Sequence, residues 1–259
     1  MEHNRRKCKD VYDRTPNLFT KQEWDRLLSV SCNVAKSKAP ESLGVLNQNI
    51  GQYLSTTGQY EMPVVRAISC LAPKDIVALY HIDRCNVEGC IPHFYTEDKK
   101  FESTWTFPRK SLSKIARYPM IISPDFSVYE NLAFPQKFWN IFRNKFLAAW
   151  WQYNGLNVIP NISWMHGQDY AMSFDGWPKH SVIAVNSTGI NDDEKCKIMW
   201  LEGYKVMLET LEPTHILRYG AKIEGENEAI STYYDNDNKK FAKYGLSLIH
   251  ISEPTRHLR

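Results

Sequence analysis

The feature that most constrains this chain is a hydrophobic pattern whose period switches back and forth between two residues and 3.6. Ile76-Val77-Ala78-Leu79-Tyr80, Ile91-Pro92-His93-Phe94-Tyr95 and Pro119-Met120-Ile121-Ile122-Ser123 are short apolar runs of strand length, the last bounded by Pro124. Residues 136–153 instead put Phe138, Ile141/Phe142, Phe146, Ala149/Trp150 and Tyr153 on one stripe at helical spacing, with Pro135 at the start and Gly155 just past the end. On that pattern the helix is core along its stripe, and Arg143 and Lys145 flank it on a solvated face. Leu156 to Ile159 and Ser181 to Val185 read as further strands, then a helix from about Asp192 to Leu211 stopped by Pro213, then a strand from His215 to Tyr219 ended by Gly220. Strands alternating with long helices imply βα units, so the fold class is α/β with a mostly parallel sheet and right-handed crossovers. An open three-layer sheet and a partial barrel both fit.

Composition narrows the setting. With 43% hydrophobic and 24% charged residues, 259 residues suffice for one self-sufficient core. The richest apolar stretch, Phe138 to Trp151, is interrupted by Arg143 and Lys145, well short of the roughly 20 apolar residues that a membrane helix needs. No membrane partner is expected. The opening MEHNRRKCKD does not lead into a signal-like apolar segment, so the six cysteines are expected to stay reduced in a cytoplasm.

The +3 net charge is unevenly spread, because residues 1–40 hold nine Lys/Arg against five Asp/Glu. A basic arm of this kind suits nucleic acid, although a short solvated terminus has the same composition. Within it, Thr20 and Glu23 form a capping-box pair and Phe19 and Trp24 a staple, predicting a helix to about Val34, with a weaker helical segment at Leu46 to Leu54. Three parts are therefore expected: a basic, helical N-terminal segment at 1–60, an α/β domain at 61–245, and a tail at 246–259. The tail contains LSLIHISEPTR (Leu246 to Arg256), which resembles a translated sequencing adapter and is set aside as non-native.

In parallel α/β folds, loops at the carboxyl ends of the strands converge on the ligand. Here those ends are unusually polar: Ser123-Pro124-Asp125-Phe126-Ser127, Pro160-Asn161-Ile162-Ser163-Trp164, Asn186-Ser187-Thr188-Gly189 and Tyr219-Gly220. Asp125, a carboxylate leaving an apolar strand, is the leading candidate for a general acid/base, and its plainer role would be to cap the turn with Ser127. Asp175 could add a second carboxylate, or simply make an Asp-Gly turn with Gly176. Ser127, Asn161, Trp164, Ser187, Thr188, Gly189 and Tyr219 are candidate ligand contacts, Trp164 by stacking on a sugar or base. Asn186 to Gly189 ahead of a helix resembles an anion-binding turn, yet Asp192, Asp193 and Glu194 already serve that helix's dipole. No Walker or G-x-G-x-x-G pattern occurs. His81, Cys85, Cys90 and His93 have zinc-ligand chemistry without a familiar spacing, and no metal or cofactor is assigned.

Several runs, HFYTEDKKFESTW (His93 to Trp105), SPDFSVY (Ser123 to Tyr129), WNIFRNK (Trp139 to Lys145), NVIPNISW (Asn157 to Trp164), SFDGWPKHSVIAVNSTG (Ser173 to Gly189) and LEPTHILRYG (Leu211 to Gly220), resemble the bacterial and phage family catalogued as domain of unknown function 4417. The resemblance covers roughly Pro63 to Gly245. It implies a parallel α/β domain from bacteria, phages and mobile elements and brings no catalytic residues with it. The chain departs from the family pattern at Glu97-Asp98, where a paired Asp is usual, and at Phe142-Arg143-Asn144-Lys145, which lacks a second Arg. Two functions follow from these features. One is a hydrolase or transferase acting on a small polar or nucleotide-like ligand. The other is a non-catalytic accessory protein that binds nucleic acid or a host protein through residues 1–40.

Overall fold

The computed structural model describes residues 45–81, 89–166, 170–190 and 193–236. The helix expected from Thr20, the basic arm, Cys85 and the adapter-like tail lie outside the described residues.

A short helix α1 (Gln48–Gly51) and a two-stranded antiparallel hairpin of β1 (Thr56–Thr57) and β2 (Met62–Pro63) come first. They pack onto the long helix α4 (Phe134–Tyr153), Gly51 so closely that a Cβ there would come within 2.6 Å of the Phe146 ring. The strands that follow are β3 (Asp75–Ala78), β4 (Cys90–His93), β5 (Ile121–Ile122), β6 (Val158–Ile159), β7 (Val182–Asn186), β8 (His215–Tyr219) and β9 (Ser231–Tyr234). Between them lie the short helix α2 (Ser103–Thr106), α3 (Pro108–Ile115), α4, the short α5 (Tyr170–Phe174) and α6 (Glu194–Leu211). Pairing is parallel for β3 with β4, β5 with β6, and β7 with β8 with β9. A parallel bridge from Asn161 to Ala184 joins β6 to β7, and β4 packs beside β5. Neighbours in space are thus neighbours in sequence from β3 to β9.

Alternation along these strands sorts the side chains into two cores. Ile76, Ile91, Ile122, Ile159, Val182, Ala184, Leu217, Tyr219 and Tyr234 form one buried cluster, completed by Tyr95, Met120 and the partly buried Ile68 and Cys70, with no helix residue in it. Ile121, Val158, Ile183, Val185 and Ile216 point the other way, against Leu112, Ile115, Trp151, Tyr204 and Met207 of α3, α4 and α6. An open doubly wound sheet would need helices over both faces. Here the inner face is covered by the strands themselves, and the Tyr234 hydroxyl of β9 donates to Pro73 O just ahead of β3 at 2.7 Å. The sheet is therefore curled into a partial barrel, which decides between the two architectures that the pattern allowed.

Helix α4 is the main departure from expectation. It ends as expected, with Gly155 at φ 87°. Burial, however, extends beyond one stripe: Arg143 and Lys145 are buried, whereas Trp139 and Tyr153 are exposed. The reason is position, because α4 is wrapped by the barrel on one side and by α1, α2 and β2 on others. Both cations accordingly find internal partners. Arg143 pairs with Glu102 at 2.7 Å, donates to Asn140 Oδ1 at 2.6 Å and lies 3.7 Å from the centre of the Phe126 ring. Lys145 Nζ donates to Met172 O at 2.8 Å.

Burial pushes the Lys145 amine down from 10.5 to about 7, against the opposing pull of the Asp175 carboxylate. Between those values the unfolded chain holds more protons than the folded one, so stability rises with pH across that window. From pH 7 to pH 9 the stability gap between the wild type and Lys145→Met should move in favour of the wild type by on the order of 1–3 kcal/mol, read from urea midpoints. A gap independent of pH would contradict the buried amine.

Candidate functional site

At the carboxyl ends of the barrel strands the inner apolar cluster gives way to a polar network. Asp125, which is buried, follows β5. Its Oδ1 accepts from Asn161 Nδ2 at 2.9 Å, just after β6, and its Oδ2 accepts from Asn186 Nδ2 at 3.1 Å, at the end of β7. Asn161 Oδ1 in turn accepts from the Tyr95 hydroxyl at 2.9 Å, just after β4. Four consecutive strand ends are thereby tied together. Below them the rings of His93, Tyr95 and Tyr219 stand 4.6–4.7 Å apart, centre to centre. Burial holds the Tyr95 hydroxyl well above its ordinary range, the nearby Asp125 charge adds to this, and Arg218 opposes it.

Above Asp125 opens a cleft of about 320 Å³. Asp125, Asn186 and Ser163 supply polar groups, and Ile162, Trp164, Ile190, Met199 and Trp200 supply apolar walls. Trp164 and Trp200 meet at 46° with ring centres 5.3 Å apart. A glycine makes this corner: Gly203 in α6 lies under the Trp164 indole, and a Cβ there would fall 2.1 Å from Nε1. Tyr129, Glu130, Asn131, His166 and Cys196 complete the lining. His166 Nδ1 is 3.6 Å from Glu202 Oε2. Cys196 is held protonated to higher pH by burial and by Asp193.

A second cavity, of about 300 Å³, adjoins the first and shares Tyr129 with it. Asp98, Ser127, Asn140 and Arg143 line it. Asp98 accepts from Ser127 Oγ at 2.8 Å and from Ser127 N at 3.1 Å. Its carboxyl is pushed up by burial, with a smaller contribution from the negative charge of Asp125, while the Ser127 hydrogen bonds oppose the shift.

The structure thus gathers Asp125, Trp164 and Gly189 at one cleft, with the buried Asn161 behind Asp125, and disperses the other candidates. Ser127 faces the second cavity. Ser187 Oγ donates to Ala221 O at 2.8 Å and its N–H to Tyr219 O at 3.0 Å, so it clamps the turn after β8. The Thr188 N–H donates to Asn186 Oδ1 at 2.8 Å, which fills the expected anion-binding turn from within. Tyr219 belongs to the aromatic layer beneath. Asp175 sits on the α4 side, near Lys145 and against Gly58, and Gly176 follows it at φ 83° as in a plain Asp-Gly turn. Cys90 and His93 are buried in β4, His93 Nδ1 accepting from Tyr95 N at 3.0 Å.

Asp98, Tyr95 and Gly203 stand at or beside the candidate cleft without being singled out in the sequence, and Asn186 is named there only as part of the turn after β7. Gly203 left a trace, since a glycine inside a helix costs about 1 kcal/mol and calls for a close approach.

The family with the description "Domain of unknown function (DUF4417)" matches residues 54–237. The chain belongs to this family. It is also similar to the "Gene 1 protein" of Mycobacterium phage L5, 28% identical over 71% of this chain and 80% of the relative. The "Gene 1 protein" of Mycobacterium phage D29 is 27% identical over 71% of this chain and 68% of the relative. Neither name states an activity, and the resemblance supports a phage-associated protein. No solved structure matches the chain. Among the described residues no helix is long and apolar enough to cross a membrane.

Gly203→Ala should displace the Trp164 indole and cost about 1–3 kcal/mol despite alanine's better helix propensity. Tryptophan emission should shift as the cleft corner opens. A stabilised variant with unchanged emission would show that the glycine is not needed for the indole.

Proposed function

We propose that the protein is an enzyme, of hydrolase or transferase type, that binds a small polar ligand in the Asp125 cleft and uses Asp125 to accept and return a proton. The observation that carries this reading is a buried carboxylate whose two oxygens are each fixed by a neutral amide, at 2.9 and 3.1 Å, at the floor of a cleft at the strand carboxyl ends. Clamping of this sort is what a general base needs, because it removes rotamer search and aims the group before the ligand arrives. Asp98 is the natural counterpart. Raised by burial and, to a smaller extent, by the Asp125 charge, it keeps a proton to higher pH than an ordinary carboxyl, which suits the acid role beside Asp125.

The accessory reading, in which residues 1–40 bind nucleic acid or a host protein, rests on the charge of that segment alone, and the segment lies outside the described residues.

Asp125→Asn keeps the shape and the hydrogen-bond capacity of one oxygen. Incubated with a bacterial metabolite extract and followed by mass spectrometry, the wild type should deplete particular species, and the variant should do so about 10²–10⁴-fold more slowly at a similar melting temperature. Equal turnover by both proteins would remove Asp125 from the chemistry.

A further inference from the structure

The described chain begins on an exposed aromatic surface. Val45 and Leu46 are 62% and 53% exposed, and the next residue, Asn47, donates from Nδ2 to Trp105 O at 2.8 Å, which fixes this start beside α2. The Trp105 ring meets Trp139 of α4 edge-on with centres 5.1 Å apart, and Trp139 stacks on Phe142 at 5.6 Å. Trp139 is nonetheless 45% exposed, and Phe107, two residues beyond Trp105, is 60% exposed. Large apolar side chains left half in water beside one another mark a surface made to be covered. Among the described residues nothing covers it.

The residues that precede Val45 hold a segment of matching chemistry. Over the helix expected between Thr20 and Val34, Trp24, Leu27, Leu28 and Val34 fall within one stripe of roughly 120°, and Asp25, Arg26, Ser29 and Asn33 fall opposite. A helix of this length is marginal on its own in water and holds its shape by burying such a stripe. Lys21 and Arg26 balance Glu23 and Asp25, so the segment brings no net charge to an apolar surface and offers no basic face to nucleic acid. We infer that residues 20–34 dock as an amphipathic helix on the Phe107–Trp139 surface of their own chain. Residues 35–44 join the two and reach roughly 35 Å when extended, ample for a turn back onto a surface that starts at Val45. A tether this short holds the helix at an effective concentration in the millimolar range, which a second copy of the chain does not match in dilute solution. The apolar stripe is then used within the chain, and the basic run of Arg5, Arg6, Lys7 and Lys9 is left for an outside partner.

Hydrogen exchange of the full chain, followed by mass spectrometry, tests the docking. Fragments spanning 20–34 should exchange about tenfold or more slower than a synthetic peptide of the same residues. Phe107→Ser combined with Trp139→Ser, both at exposed positions, should remove that protection while the barrel strands keep theirs. Hydroxyl-radical footprinting gives the reciprocal reading, because Trp24→Ser combined with Leu28→Ser should raise the labelling of Phe107 and Trp139 several-fold. Should the first pair of substitutions also strip protection from the barrel strands, the second pair, which precedes the barrel in the chain, decides. The proposal is overturned if 20–34 exchanges as fast as the free peptide, if its protection survives the surface substitutions, or if the segment substitutions leave Phe107 and Trp139 labelling unchanged. Protection that falls as the protein is diluted would assign the surface to a second copy and overturn docking within one chain.

Discussion

The inner apolar cluster of the barrel is the interaction on which the rest of this structure depends. It draws residues from each strand from β3 to β9, including Ile76, Ile91, Ile122, Ile159, Leu217 and Tyr234, and removes them from water without help from any helix among the described residues. Burying apolar surface is worth about 25 cal/mol per Å², and a parallel sheet with one unprotected apolar face would forgo that stabilisation. Curling solves the problem, and it has a geometric consequence. Successive strand ends are brought around a common centre, so residues far apart in sequence, Tyr95, Asp125, Asn161 and Asn186, can join in one hydrogen-bonded network.

The two cores divide the labour. The outer one anchors α3, α4 and α6, and it tolerates buried charge only with partners, as Arg143 with Glu102 and Arg218 with Glu226 show. The inner one ends in a layer of His93, Tyr95 and Tyr219, whose polar tips mark the passage from apolar filling to the polar network at the strand ends. Asp125 stands at that passage, buried and at the edge of the cleft.

Strand and helix positions were legible because period is a local property. The runs at Ile76, Ile91, Ile121, Val158, Val182 and His215 all became parallel strands, and the long helices fell within a few residues of expectation. Barrel closure was not legible, since the Tyr234–Pro73 contact depends on chain sections more than 150 residues apart. For the same reason the apparent amphipathicity of α4 misled, because what wraps Arg143 and Lys145 comes from distant elements. Asp125 and Trp164 share one cleft, as the rule that ligands meet strand ends anticipates, and Asn161 hydrogen-bonds Asp125 behind it. Ser187 obeys the same rule and is nonetheless spent on the turn after β8, while the Thr188 N–H is taken by Asn186 in its own turn after β7, choices made by hydrogen-bond partners that no spacing reveals.

Closure of the strands can be measured as a distance across the seam between β9 and β3. Spin labels at Leu71 and Asp235, both exposed and flanking β3 and β9, can be placed in a variant with the native cysteines replaced. A closed arrangement predicts a separation of about 20 Å or less. An open sheet would put six strand spacings of about 4.8 Å between β3 and β9, and a label distance of roughly 30 Å or more would contradict the barrel and the convergence of strand ends built on it.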